Sequence, residues 1–199
     1  MTHLTDEQLA RAIAEGLVTT GIEGGFENVC CSTAGDYPSM GVSQWEGIGG
    51  RGDLLLSYID NGSQYAGRTY SDLESTVDDD GISDKSKLSE LLDSEQGHEA
   101  QLILLSSDCL YSYLPMLRVA GLTDDSCLIY CGLWCPTSDY VVMMFLQRRA
   151  SRGYDINDLE TVNLLFHEEY ADAADCSEYA EGYANRADNI YAYVKSLPL

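Results

Sequence analysis

The chain has 199 residues and a net charge of −22, from 33 Asp and Glu against 11 Lys and Arg. That balance disfavours nucleic acid and anionic membranes as partners, because both are held by clustered basic residues. Hydrophobic residues make up 45%, enough for a buried core, so the acidity does not signal disorder.

The start, Met1–Gly16, has neither a basic nor an apolar signal region. We expect synthesis in the cytoplasm without a signal peptide, and action elsewhere only after release or export. Residues 5–21 carry a helical pattern. Thr5 and Gln8 form a capping box, and Leu9, Ala10, Ile13, Leu17 and Val18 share a face. Gly21, Gly24 and Gly25 end it, which puts Glu23 at or just past the helix end. Residues 26–50 are rich in Gly, Ser, Tyr and Pro and predict short irregular strands or a hairpin with Trp45 in its core. Within them, Ser39–Trp45 alternates as one strand does. Ser39, Gly41, Ser43 and Trp45 then face one side, and a bulge at Gly41 brings Gln44 round to them. Asp53–Ile59 predicts a helix, Asn61–Gly62 a break, and Gln64–Gly81 a surface loop or short helix.

From residue 83 the pattern is helical. One segment carries Leu88, Leu91 and Leu92, with Gly97 near its end. Further segments cover Ala100–Leu114, Asp124–Leu133, Tyr140–Arg149 (after an interruption at Pro136), Ile156–Tyr170 and Cys176–Leu197. The expectation is one mainly α (α+β) domain over residues 1–199, with a β-rich lobe at about 26–50 and a helical lobe at about 83–199. The seven cysteines follow no disulfide framework and predict mostly buried thiols in a reducing compartment. Cys127, Cys131 and Cys135 on one helix would span about 12 Å, too far for a single zinc. We therefore expect no metal and no cofactor. His3, His98 and His167 are scattered and form no Cys-His motif. Arg51-Gly52-Asp53 fits a helix start, and Asp78–Asp80 a solvated loop without the calcium-loop pattern.

Glu23 is the most interesting titratable group. A carboxyl at a helix C-terminus meets the negative end of the dipole, which favours its protonated form. A proton held there can be given to a leaving oxygen. Glu27 would share a face with Glu23 on a continued helix, but Gly24-Gly25 breaks it and leaves Glu27 on the surface. Hydroxyl, amide and indole groups at Ser39, Gln44 and Trp45, with Gly41 between, suit a saccharide. Sugar hydroxyls need hydrogen bonds, and the apolar ring faces need an aromatic.

The order Glu23-Gly24-x-Phe26, Gly35, Ser39-Met40-Gly41, Gln44-Trp45-x-Gly47, then Leu54-Leu55-Leu56, resembles the N-terminal part of lysozyme-like peptidoglycan hydrolase domains. Such domains occur in bacteria and in phage endolysins. Ala100-Gln101 is similar to a further segment of that family. The resemblance implies a lysozyme-like fold with a cleft between a helical and a β-hairpin lobe. It also implies a glycosidase of the muramidase or lytic transglycosylase type, acting on the peptidoglycan glycan strand. Glu23 stands at the position of the general acid, Ser39 and Gln44 would position water or substrate, and Gly41 and Trp45 would shape the substrate site.

Three departures bear on this. Ser32-Thr33-Ala34-Gly35 stands where the family has an Asp-bearing turn, leaving Asp36 as a substitute second carboxylate or a plain turn residue. One extra residue falls near Pro38, and Glu46 replaces a His. Two other functions stay open: an inactive structural or interaction protein of the same fold, and a glycosidase acting on chitosan, whose cationic chain suits an acidic protein better.

Overall fold

The first helix is set by its cap. The Thr5 N–H donates to Gln8 Oε1 at 2.9 Å and the Gln8 N–H to Thr5 Oγ1 at 3.3 Å, so α1 runs over Asp6–Thr19. The computed structural model describes residues 3–199; Met1 and Thr2, which begin the stretch read as lacking a signal peptide, lie outside them. A Schellman cap closes α1: the N–H groups of Gly21, at φ +69°, and Ile22 donate to the carbonyls of Val18 and Leu17 at 3.1 Å each. Glu23 is the next residue.

The architecture is mainly α with a small antiparallel sheet, as the residue pattern predicts. The chain divides into two compact units, one formed by Glu23–Leu105 and one by the residues up to Ile22 together with Ser106–Leu199.

In the first of these, β1 (Val29–Cys31), β2 (Pro38–Met40) and β3 (Trp45–Glu46) form a meander in which Met40 lies opposite both Val29 and Trp45. Of the two readings of Ser39–Trp45, one strand or a hairpin with a core Trp, the structure has the hairpin. Gly41 at φ +72° and Gln44 at φ +52° are left-handed, which a continuing pleat does not allow. Arg51-Gly52-Asp53 opens α2 (Arg51–Ser57), where Asp53 Oδ2 accepts the Gly49 N–H at 2.6 Å. α3 (Tyr70–Ser75) and α4 (Asp84–Leu92) are capped by Thr69 and Ser83. The acidic loop between them closes on itself, Asp78 Oδ1 accepting the N–H groups of Asp80 and Ile82 at 3.0 and 2.8 Å. α5 (Glu95–Asp108) begins earlier than predicted. Gly97 does not sit at the end of α4 but in the first turn of α5, where a Cβ would lie 2.4 Å from the carbonyl oxygens of Leu91 and Leu92. Only glycine lets the two helices follow so closely.

After α5 the helix widens into a π turn at Cys109–Tyr113 and resumes as α6 (Leu114–Ala120), past the predicted end at Leu114. Pro115 lies in the first turn of α6, where the missing N–H and the bulky ring call for a changed register. α7 (Asp125–Gly132), α8 (Cys135–Ala150), α9 (Leu159–Ala173) and α10 (Ala180–Ser196) complete the chain. Pro136 does not interrupt a helix but starts α8; the break is at Ser138, whose extended backbone (φ −175°, ψ 113°) kinks it.

The second unit packs tightly around α1. A Cβ at Gly132 would meet Ile13 at 2.5 Å, and one at Gly16 would meet the Tyr193 ring at 2.6 Å. Trp134, Phe145, Phe166, Tyr170 and Tyr183 form a connected aromatic cluster with centroids 4.8–5.8 Å apart. Cys127 and Cys131 lie on α7 and Cys135 opens α8, so the three do not share one helix. All three are buried, and desolvation pushes the thiols of Cys131 and Cys135 well above their ordinary range. Among the described residues no His, Cys, Asp and Glu group is placed to hold a metal ion, and no helix is long and apolar enough to cross a membrane.

In the first unit, the Arg68 guanidinium sits 2.5 Å from Asp84 Oδ2 and ties the loop before α3 to α4. This hydrogen bond holds the Asp84 carboxyl below its usual value of 3.8. A depressed folded value means the stabilisation is present above the unfolded value and lost as pH falls through the folded one. Thermal melts of the wild type and Asp84→Asn should therefore differ most above about pH 5 and converge as pH drops below 3.8. A melting difference that persists or grows in acid would count against this ion pair.

Candidate functional site

Glu23 is half-buried and opens the unit that carries the sheet. The segment after it leaves the helical path and turns at Phe26-Glu27. Its backbone is fastened to the β2–β3 turn, because the Gly24 N–H donates to the Val42 carbonyl at 2.9 Å. Four residues further on, the Asn28 carbonyl accepts the Gly41 N–H at 2.8 Å. The chain next to Glu23 and the turn Gly41–Gln44 are thus one hydrogen-bonded structure.

A buried glutamine completes it. Gln101 is fully buried on α5, on the same face as Ala100, Leu104 and Leu105. Its Oε1 accepts the Val42 N–H at 2.9 Å, and its Nε2 donates to the carbonyls of Phe26 at 3.2 Å and Leu92 at 3.0 Å. These three partners fix which end of the amide is oxygen. Both polar groups of the Val42 peptide are then engaged, the N–H by Gln101 and the carbonyl by Gly24. Gly41 makes room for this amide: a Cβ there would lie 2.4 Å from Gln101 Oε1 and 3.3 Å from the Trp45 ring.

The other expected site residues are distributed unevenly. Gln44 is exposed at the hairpin turn. Ser39 is 5% exposed and its hydroxyl donates to the Gln44 carbonyl at 2.9 Å, so it braces the turn from inside. Trp45 is buried against Gly41 and forms the floor under the turn, with little open ring face. Asp36 is in the β1–β2 loop. Its Oδ1 accepts both the N–H and the hydroxyl of Ser71, at 2.9 and 3.0 Å, so that oxygen caps the first turn of α3. Glu46 accepts from the Ser32 hydroxyl. Glu27 is exposed on the turn, and its carbonyl accepts from Ser89 Oγ at 2.7 Å.

Two residues that the sequence reading named but gave no role make key contacts. His98, on α5, stacks on Phe26 with centroids 3.8 Å apart, and its Nε2 lies 2.9 Å from Asp93 Oδ1. No spacing foretold that pair. Gln101 did leave a signal, as a lone amide on an otherwise apolar helical face.

The fold is thus a mainly α chain with a three-stranded antiparallel sheet. No family model, curated protein or solved structure matches the chain. What can be carried to function is the local arrangement around Glu23 and the hairpin turn.

Gly41→Ala tests that arrangement. It forces a side chain into a left-handed position and against Gln101. Urea denaturation should show a loss of about 2–4 kcal/mol. Unchanged stability would mean that the turn and the amide are not packed as described.

Proposed function

We propose that this protein cleaves the glycan strand of peptidoglycan, with Glu23 as the general acid. The observation that carries the reading is the Gly24 to Val42 hydrogen bond, which holds the residue after Glu23 against the turn bearing the exposed Gln44. A general acid works only if its carboxyl is held at a fixed distance from the leaving oxygen.

In the proposed reaction Glu23 gives its proton to the glycosidic oxygen as the bond to the anomeric carbon breaks. The carbon passes through an oxocarbenium-like state. In hydrolysis, water adds to that carbon and loses a proton to solvent or a base. In transglycosylation, the 6-hydroxyl of the muramyl sugar attacks that carbon instead, closes an anhydro ring and gives its proton to the Glu23 carboxylate. Asp36 has one carboxylate oxygen committed to Ser71, which favours a single-acid mechanism over a paired-carboxylate one. Gln44 contacts the sugar, while Ser39, Gly41 and Trp45 support the turn from which it projects.

The net charge of −22 favours a second reading, a glycosidase acting on cationic chitosan. A third, an inactive binding protein of this fold, draws on the engaged Ser39 hydroxyl and the capping role of Asp36.

The test is digestion of purified peptidoglycan by the wild type and Glu23→Gln, with the products identified by mass spectrometry. Glu23→Gln should release muropeptides roughly 100-fold or more slowly. Hydrated or anhydro ends will tell hydrolysis from transglycosylation. Equal release by both proteins removes Glu23 from the mechanism. No release by either, across walls of several types, transfers the question to chitosan and then to binding without catalysis.

A further inference from the structure

We infer that Gln101 is a positioning residue for Glu23, acting through the backbone of the Val42 turn. The inference rests on the proposed role of Glu23 as the acid. Gln101 is fully buried, and its amide joins three segments: the loop after Glu23 at Phe26, the hairpin turn at Val42 and the end of α4 at Leu92. An amide in this setting has one low-energy placement, since any movement leaves buried polar groups unpaired. Two routes lead from it to Glu23. One runs through the Val42 peptide, whose carbonyl accepts the Gly24 N–H at 2.9 Å. The other runs through the Phe26 carbonyl, three residues after Glu23. Gly24 and Gly25 between them are conformationally free, so fixing the position of Glu23 needs anchors on both sides of the pair. Within the unit, the Gly24 to Val42 hydrogen bond anchors the near side of the pair, and Gln101 anchors the far side at Phe26.

Two substitutions separate this role from general stability. Gln101→Met keeps the size and removes all three hydrogen bonds. Gln101→Glu keeps the acceptor for the Val42 N–H and, when ionised, lacks the donors for Phe26 and Leu92. Each is compared with the wild type and Glu23→Gln for folding by circular dichroism, for kcat and KM on soluble glycan-strand fragments, and for hydrogen exchange at the Val42 amide. A misplaced acid lowers the rate of the bound complex without weakening binding. The folded Gln101→Met variant should lose on the order of 100-fold in kcat with little change in KM. Gln101→Glu should fall between it and the wild type, and the Val42 amide should exchange faster in Gln101→Met. Wild-type kcat in a folded Gln101→Met variant, with Glu23→Gln inactive, overturns the role of Gln101 and leaves that of Glu23 standing. Failure of both variants to fold makes Gln101 a structural residue only and also overturns it. A wild type that releases no product removes the acid role, and the positioning role falls with it. In that case a faster Val42 exchange in Gln101→Met identifies Gln101 as a clamp of the fold alone.

Discussion

A single buried amide organises the unit formed by Glu23–Leu105. The strands there are two or three residues long, too short to hold a sheet by their own ladder. Gln101 supplies what the ladder does not. Desolvating its carboxamide without partners would cost several kcal/mol, so the surrounding backbone must come to it. Phe26, Val42 and Leu92 each do, from three separate stretches of chain. The demand reaches to residue identity. Gly41 is a glycine because Gln101 Oε1 and the Trp45 ring occupy the space a side chain would take. Ser39 then braces the same turn through the Gln44 carbonyl.

The other unit is held together by different means. Its helices meet through close apolar contacts, with Gly16 and Gly132 allowing α1 to approach Tyr193 and Ile13 to approach α7. An aromatic cluster fills its interior, and two guanidinium groups lie on its ring faces, Arg149 over Phe145 at 4.8 Å and Arg186 over Trp134 at 4.6 Å. Its buried cysteines are desolvated and poorly suited to nucleophilic or redox chemistry. These features make it a densely packed unit. Glu23, the exposed Gln44 and the buried Gln101 all lie in the sheet-bearing unit.

The proposed chemistry asks little of the protein beyond one well-placed acid. That suits a site where Asp36 caps a helix and the Ser39 hydroxyl is turned inward. The charge of −22 works against attraction to an anionic wall, so a productive encounter with peptidoglycan would depend on local contacts. The same charge would assist a cationic glycan. The two substrates thus differ in their expected response to salt, because screening relieves repulsion in one case and weakens attraction in the other.

Much of the fold was legible in the residues because its signals are local. Thr5 with Gln8 marked the start of α1, Gly21 marked its end, and the 3.6-residue spacing of Leu9, Ile13 and Leu17 marked its buried face. The mainly α composition with a small β element followed from such patterns. So did Glu23 as a carboxyl just past a helix end, and a turn-rich stretch after it. Other features depend on contacts between distant residues. Alternation over Ser39–Trp45 fits one strand as well as it fits two, and the hairpin forms because Gln101, some sixty residues away, takes the Val42 N–H. Gly97 looked like a helix end, and only the nearness of α4's last carbonyls shows why it lies inside a helix. The sequence by itself determined where α1 begins and ends and that Glu23 follows its cap, since neighbouring residues decide those. Tertiary structure alone decided which polar groups are engaged and which remain open, because a hydrogen bond made in a desolvated interior depends on partners that chain order does not reveal.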